Sequence, residues 1–156
     1  MKAYKKYLAE FVGTFALVFI AAGSVCADFY LRQAGGQGLG LLGISIAFGV
    51  VVIAIIYATS YVSGSHVNPA VTISFWISKR MDPNTAIMYI ISQIAGATLA
   101  GLALKTLFPD ALKTVYLGTC MLSPGVSIGR GILMEFIISF LLVFTIYGTL
   151  VDKRAS

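Results

Sequence analysis

The chain has 156 residues, 58% of them hydrophobic and only 11% charged, with a mean hydropathy of +0.92. A soluble domain of that length has no use for so much apolar surface, so the composition points to an integral membrane protein. The formal charge of +5 does not indicate nucleic acid, because the basic residues stand singly or in pairs outside the apolar runs, with no basic helix face or aromatic-interleaved patch.

The N-terminal Met1-Lys2-Ala3-Tyr4-Lys5-Lys6 resembles the basic start of a signal peptide. The apolar run behind it, residues 7–30, exceeds the ~7–15 residues of such a leader and reads as a retained first span. Gly35-Gly36-Gln37-Gly38 punctuates the first connection, and residues 39–61 form a second span. Tyr4, Tyr7, Tyr30 and Tyr89, near span ends, read as interface anchors or packing residues. The small residues of the spans, Gly43, Ala47, Gly49, Ser92, Gly96, Ala97, Ala100 and Gly101, suit close helix packing.

An ordinary polar loop would be expected after the second span. Instead the chain reads Ser63-Gly64-Ser65-His66-Val67-Asn68-Pro69-Ala70-Val71-Thr72. Asn-Pro opens a helix well: the Asn side chain caps free backbone N–H groups, and Pro fits the first turn. The helix that follows, residues 69–78, is about 15 Å long, roughly half a hydrocarbon core. A half-length helix among spanning ones predicts a re-entrant segment with its positive N-terminal end at mid-membrane.

Met81-Asp82-Pro83-Asn84 then marks the start of a third span, residues 85–107, with Asp82 or Asn84 as its cap. Residues 109–129 read as an exposed loop, and residues 132–151 as a fourth span. Cys26 lies in an apolar run and reads as packing; Cys120 lies in the loop. The two fit no metal or redox spacing, so neither a metal nor another cofactor is expected.

Charge sets an orientation. Lys2, Lys5 and Lys6 precede the first span, Lys79 and Arg80 follow the half helix, and Lys153 and Arg154 follow the fourth span. With a re-entrant half helix all seven fall on one face, which the positive-inside rule assigns to the cytoplasm together with both termini. A full crossing near Trp76 would move Lys79 and Arg80 away and weaken that bias.

Glu10-Phe11-Val12-Gly13-Thr14-Phe15-Ala16-Leu17-Val18-Phe19 recurs as Glu135-Phe136-Ile137-Ile138-Ser139-Phe140-Leu141-Leu142-Val143-Phe144. An intramembrane Glu, a hydroxyl four residues on and three aromatics in register indicate an internal duplication. Three spans separate the two starts, and an odd number puts the copies in opposite orientation, as in inverted-repeat channels and transporters. The same offset carries a second Asn-Pro-Ala past Ser156. One complete repeat, residues 1–129, and only the first helix of a second, residues 130–156, are therefore expected.

These motifs resemble the aquaporin and glycerol-facilitator (major intrinsic protein) family along essentially the whole chain. They are Glu10 and Thr14, the loop from Ser63 to Thr72, the run Ser92-Gln93-Ile94-Ala95-Gly96-Ala97, and the helix opened by Glu135. The resemblance implies an all-α, aquaporin-like membrane protein: four transmembrane helices plus one re-entrant half helix, an incomplete inverted repeat. It implies that Asn68, held by Pro69 and Ala70, donates its amide to water at the pore midpoint. The carbonyls of Gly64, Ser65, His66 and Val67 would form an acceptor ladder leading there. Helix N-termini meeting at that point oppose cations and protons, and pores of this type select by diameter, hydrogen-bond donors and half-helix dipoles. Phe48 stands where the family places an aromatic at its outer constriction and leans toward a water-type filter. The resemblance also suggests a homo-oligomer of four protomers.

Acids inside spans are costly and mark function or a specific partner. By repeat symmetry Glu135 should brace the loop before Asn68, leaving the buried acid Glu10 without its expected partner. His66, taken alone, reads as a buried histidine; within its motif a pore-lining or pH-sensitive role becomes plausible. The expected function is a passive channel subunit for water, or small neutral solutes such as glycerol, incomplete on its own and completed by another copy or a second polypeptide. The alternatives are a non-conducting fragment of a split gene, or a proton-coupled transporter with Glu10 or Glu135 as carrier. An enzyme is not expected: no nucleophile–base pair, metal cluster or phosphate-binding loop is visible.

Overall fold

A computed structural model describes residues 2–151. Lys153 and Arg154, assigned above to one membrane face, lie outside the described residues. The chain divides into two compact units, Met1–Thr119 and Cys120–Ser156, a boundary ahead of the one at residue 129 that the repeat suggests. Part of the reason is local: Leu122 folds back onto Gly131, so the end of the long loop belongs with the helix it precedes.

Among the described residues the fold is all helical, and four helices are long and apolar enough to cross a membrane. They are α1 (Ala3–Gln33), α2 (Gly40–Ser63), α4 (Pro83–Leu107) and α6 (Ile128–Ile146), whose last turn widens into a π-turn at Tyr147–Val151. Between α2 and α4 lies α3 (Pro69–Ile77), nine residues long. The connection between α4 and α6 holds a single turn, α5 (Ala111–Thr114), and a 3₁₀ turn at Tyr116–Gly118.

Helix ends follow local chemistry. The first helix overruns the expected 7–30 at both ends, because its Lys- and Tyr-bearing first turn and its Asp28–Arg32 pair are compatible with helix. It stops where Gly35 adopts φ +83° and the Gly36 N–H bonds the Leu31 carbonyl at 2.9 Å. Asp28 then accepts the Gly40 N–H at 2.8 Å, tying the start of α2 to α1. The α4 terminus is capped by Asp82, which accepts the Thr85 N–H at 2.9 Å; the Thr85 hydroxyl and amide hold that carboxyl below the usual carboxylate range. Asp82, rather than Asn84, is the cap.

In the first unit α1 and α4 run parallel. The pairs Tyr7–Tyr89, Glu10–Gln93, Gly23–Leu104 and Tyr30–Phe108 mark their common register from one end to the other. Between them Gly96 sits directly on the Phe11 carbonyl, so the two backbones touch. Helix α2 descends antiparallel to α1, with Val51 and Ile55 packing on Ala16, Leu17 and Gly13. Ser63, at its end, reaches Glu10 and Tyr89, in the first third of α1 and of α4. The chain then rises only as far as Val67 against Gly13, and α3 turns back toward the start of α4. It therefore enters and leaves at one end of the unit. That is the end where α1 begins, so Lys2, Lys5 and Lys6 lie on the same side as Lys79 and Arg80.

A Cβ at Gly96 would collide with the Phe11 carbonyl, whereas one at Gly101 meets nothing within 4 Å. Gly96→Ala is expected to destabilise the fold in detergent by about 1–3 kcal/mol through overpacking. Gly101→Ala should be neutral or slightly stabilising. Thermal unfolding followed by circular dichroism checks both.

Candidate functional site

The site is built around the loop from Gly64 to Val67, where the backbone leaves regular structure. Gly64 ends α2 in the left-handed conformation (φ +86°), which glycine adopts freely. Ser65 (φ +52°) and Val67 (φ +39°) then take positive φ without that freedom, and for a β-branched residue this is uncommon. The Gly64 N–H still closes the last turn of α2 on the Ser60 carbonyl at 2.9 Å, but the N–H groups of Ser65, His66 and Val67 have no helical acceptor and need others.

Glu10 supplies them. Its side chain is completely buried. Oε1 accepts from the His66 N–H at 2.9 Å and the Ser63 hydroxyl at 2.6 Å; Oε2 accepts from the Val67 N–H at 2.7 Å and Gln93 Nε2 at 2.8 Å. All four partners donate, which suits an acceptor-only carboxylate. The Ser63 Oγ also accepts the Ser65 N–H at 3.1 Å. Gly13 permits the approach, since a Cβ there would come within 2.6 Å of Val67 Cγ1.

Asn68 caps α3 through Oδ1, which accepts the Ala70 N–H at 2.8 Å, and Pro69 occupies the first turn. Because Oδ1 is committed, the half-buried Asn68 presents Nδ2 outward, where it has no hydrogen-bond partner among the described residues. One turn along α3, Thr72 Oγ1 accepts from Gln93 Nε2 at 2.9 Å and lies 3.2 Å from both the Asn68 carbonyl and His66 Nδ1. The single hydroxyl proton of Thr72 serves one of those two. If it goes to the Asn68 carbonyl, Nδ1 of His66 carries the hydrogen; if it goes to Nδ1, the hydrogen sits on Nε2. The imidazole is buried between Phe75 and Tyr89, at ring distances of 4.5 and 5.3 Å.

Asn68, Pro69, Ala70, Gly64, Ser65, His66, Val67 and Glu10 thus converge. Two of the expectations for the acids are corrected. Glu10 does not lack a partner: it braces the loop of its own repeat, because Gly13 and the antiparallel α2 carry that loop to it. Glu135 is exposed on α6 rather than buried, since its own unit has no second long helix to cover it. Phe48 stands 41% exposed on α2, about four turns before Ser63 and apart from this cluster.

Sequence reasoning gives no role to Gln93, and it treats Tyr89 as an anchor or packing residue. Tyr89 is buried and donates to the Ser63 carbonyl at 2.7 Å. The readable signal is the stripe Ala86, Tyr89, Gln93, Gly96, Ala100 and Leu104, one face of α4 and all buried.

Helices long and apolar enough to span a membrane, with a short, amide-capped helix and an acid-braced loop among them, define a class of polytopic membrane protein. Comparisons agree. A family model described as "Major intrinsic protein" matches residues 1–156, and the chain belongs to that family. It is 38% identical to Aquaporin AqpM of Methanothermobacter marburgensis, over 97% of this chain and 67% of that protein. It is 38% identical to Putative aquaporin NIP4-1 and 39% identical to Aquaporin NIP3-1, both of Arabidopsis thaliana, over 97% of this chain and 50% and 47% of those proteins. The chain thus spans about half to two thirds of the length of these relatives. Members of this family are channels, not enzymes.

Replacing Glu10 by Gln leaves one acceptor oxygen for four donors and sets an amide N–H₂ against two of them. Glu10→Gln is expected to cost roughly 3 kcal/mol or more. Tyr89→Phe, which removes one hydrogen bond, should cost about 1 kcal/mol. Chemical or thermal unfolding in detergent measures the two.

Proposed function

We propose that this chain forms one wall of a membrane pore that passes water, with Asn68 Nδ2 as the donor at its midpoint. The observation that carries the reading is the hold of Glu10 on the loop. In a trans peptide the C=O and N–H of one unit point opposite ways. With the N–H groups of His66 and Val67 turned onto Glu10, the carbonyls of Ser65 and His66 turn away from it, and the Ser65 N–H on Ser63 does the same for Gly64. Gly64, Ser65 and His66 then present a row of acceptors that leads to a donor, and the family resemblance adds the Val67 carbonyl to it. A molecule in single file exchanges bulk hydrogen bonds for fixed ones, and the positive end of α3 opposes cations at that point.

Phe48 serves as the aromatic of an outer constriction on the α2 side, favouring water over larger solutes. The basic end of the unit faces the cytoplasm, with both termini on that side. A second Asn-Pro-Ala helix, needed to close the pore, comes from outside these residues, and four protomers assemble. Proton-coupled transport with Glu10 as carrier is disfavoured, because four hydrogen bonds fix that carboxyl group in the wall.

Osmotic shrinkage of proteoliposomes, followed by stopped-flow light scattering, tests the proposal. Liposomes carrying this chain with a polypeptide that bears a second Asn-Pro-Ala helix should shrink faster than empty ones, with a low activation energy. Asn68→Ala should reduce that flux. Co-reconstituted liposomes no faster than lipid alone would overturn the channel reading. The 156 residues alone should stay at the lipid background; fast flux from them would overturn the need for a second half helix.

A further inference from the structure

Two buried side-chain oxygens near Glu10 find no partner among the described residues: Thr14 Oγ1 on α1 and Gln93 Oε1 on α4. A buried polar atom left unpaired is expensive, and in native proteins it usually has an ordered water. Here the two are chemically complementary. Gln93 Nε2 has two N–H groups, and both are committed, one to Glu10 at 2.8 Å and one to Thr72 at 2.9 Å. That fixes the amide orientation, so Oε1 is an acceptor without a donor. Thr14 holds a hydroxyl donor without an acceptor.

Their placement matches a single bridge. The Glu10–Gln93 contact sets these two residues at one level. Thr14 follows Glu10 by four residues, so it lies about one turn further along the same face of α1, about 6 Å on. Two hydrogen bonds of about 2.8 Å meeting at one water span roughly 4.5 Å, and the Thr14 side chain, tilted back toward the start of α1, shortens the step to be bridged. Thr14 and Gln93 are 4% and 1% exposed, so any such molecule is sealed in the interior.

We infer that an internal water occupies the α1–α4 interface beside Glu10, accepting from the Thr14 hydroxyl and donating to Gln93 Oε1. It is a structural ligand in the wall, separate from any permeating water. By satisfying Oε1 it holds the amide with its N–H₂ toward Glu10 and Thr72. A flipped amide would set its oxygen against the Glu10 carboxylate.

The test is a high-resolution crystal structure of the protein together with a Thr14→Val variant, which keeps the shape and removes the hydroxyl. A density peak within hydrogen-bonding distance of both oxygens is expected. Thr14→Val should lower the thermal midpoint by about 3 °C or more, because Gln93 Oε1 loses its bridge. No peak between the two oxygens, or a Thr14→Val midpoint at or above that of the parent, would overturn the inference. Neither readout involves permeability, so this result and the flux result stand or fall separately.

Discussion

The hold of Glu10 on the loop before Asn68 is the constraint on which the rest of the first unit depends. Irregular backbone at membrane depth is costly, since no bulk water is present to take the N–H groups that helix geometry would have paired. Here one carboxylate takes two of them and is itself surrounded by donors: Ser63 and Gln93 complete its shell. The exchange works in both directions. A buried carboxylate without donors would be unstable, and a loop with Ser65 and Val67 at positive φ would collapse without an acceptor. Each makes the other tolerable.

From that contact a chain of hydrogen bonds runs to the cap. Gln93 links Glu10 to Thr72, Thr72 meets the Asn68 carbonyl, and Asn68 Oδ1 holds the Ala70 N–H. The first two helices and α4 therefore all share in orienting α3. Two glycines set the distances: Gly13 lets Val67 down onto α1, and Gly96 lets α4 approach the Phe11 carbonyl. A methyl group at either position would push apart partners whose hydrogen bonds span 2.6 to 2.9 Å.

Much of this is legible in the sequence alone. The start of α3 follows from Asn68-Pro69, because capping chemistry is local. Its return to one face is anticipated by Lys79 and Arg80, and the parallel packing of α1 with α4 puts them at the same end of the unit as Lys2, Lys5 and Lys6. The pairing of the acids is not legible. A repeat shows that Glu10 and Glu135 are equivalent, but not which copy meets which loop, since that depends on how neighbouring helices pack in three dimensions. Tyr89 escapes a sequence reading for a similar reason: near a helix start, an aromatic buried against Ser63 and one anchored at an interface look alike. Gln93 sits in a recognisable motif, yet its role depends on Thr72 being one turn into α3.

The electrostatics of the proposed pore follow from the same contacts. A helix N-terminus carries roughly half a positive charge, whereas the Glu10 carboxylate, close behind the loop, carries a full negative one. Dipoles alone would then be a weak barrier to cations. That acid, however, is fully buried and faces four donors, whose dipoles offset its charge locally. In the pore we propose, what meets a permeating molecule at the cap is the Asn68 N–H₂, a donor and not an acceptor. A cation losing its hydration shell there finds a group oriented the wrong way, while a neutral water can turn its oxygen to it. Discrimination at this point therefore rests on local polarity, on which end of each dipole faces the pore, more than on the summed charge of the helices.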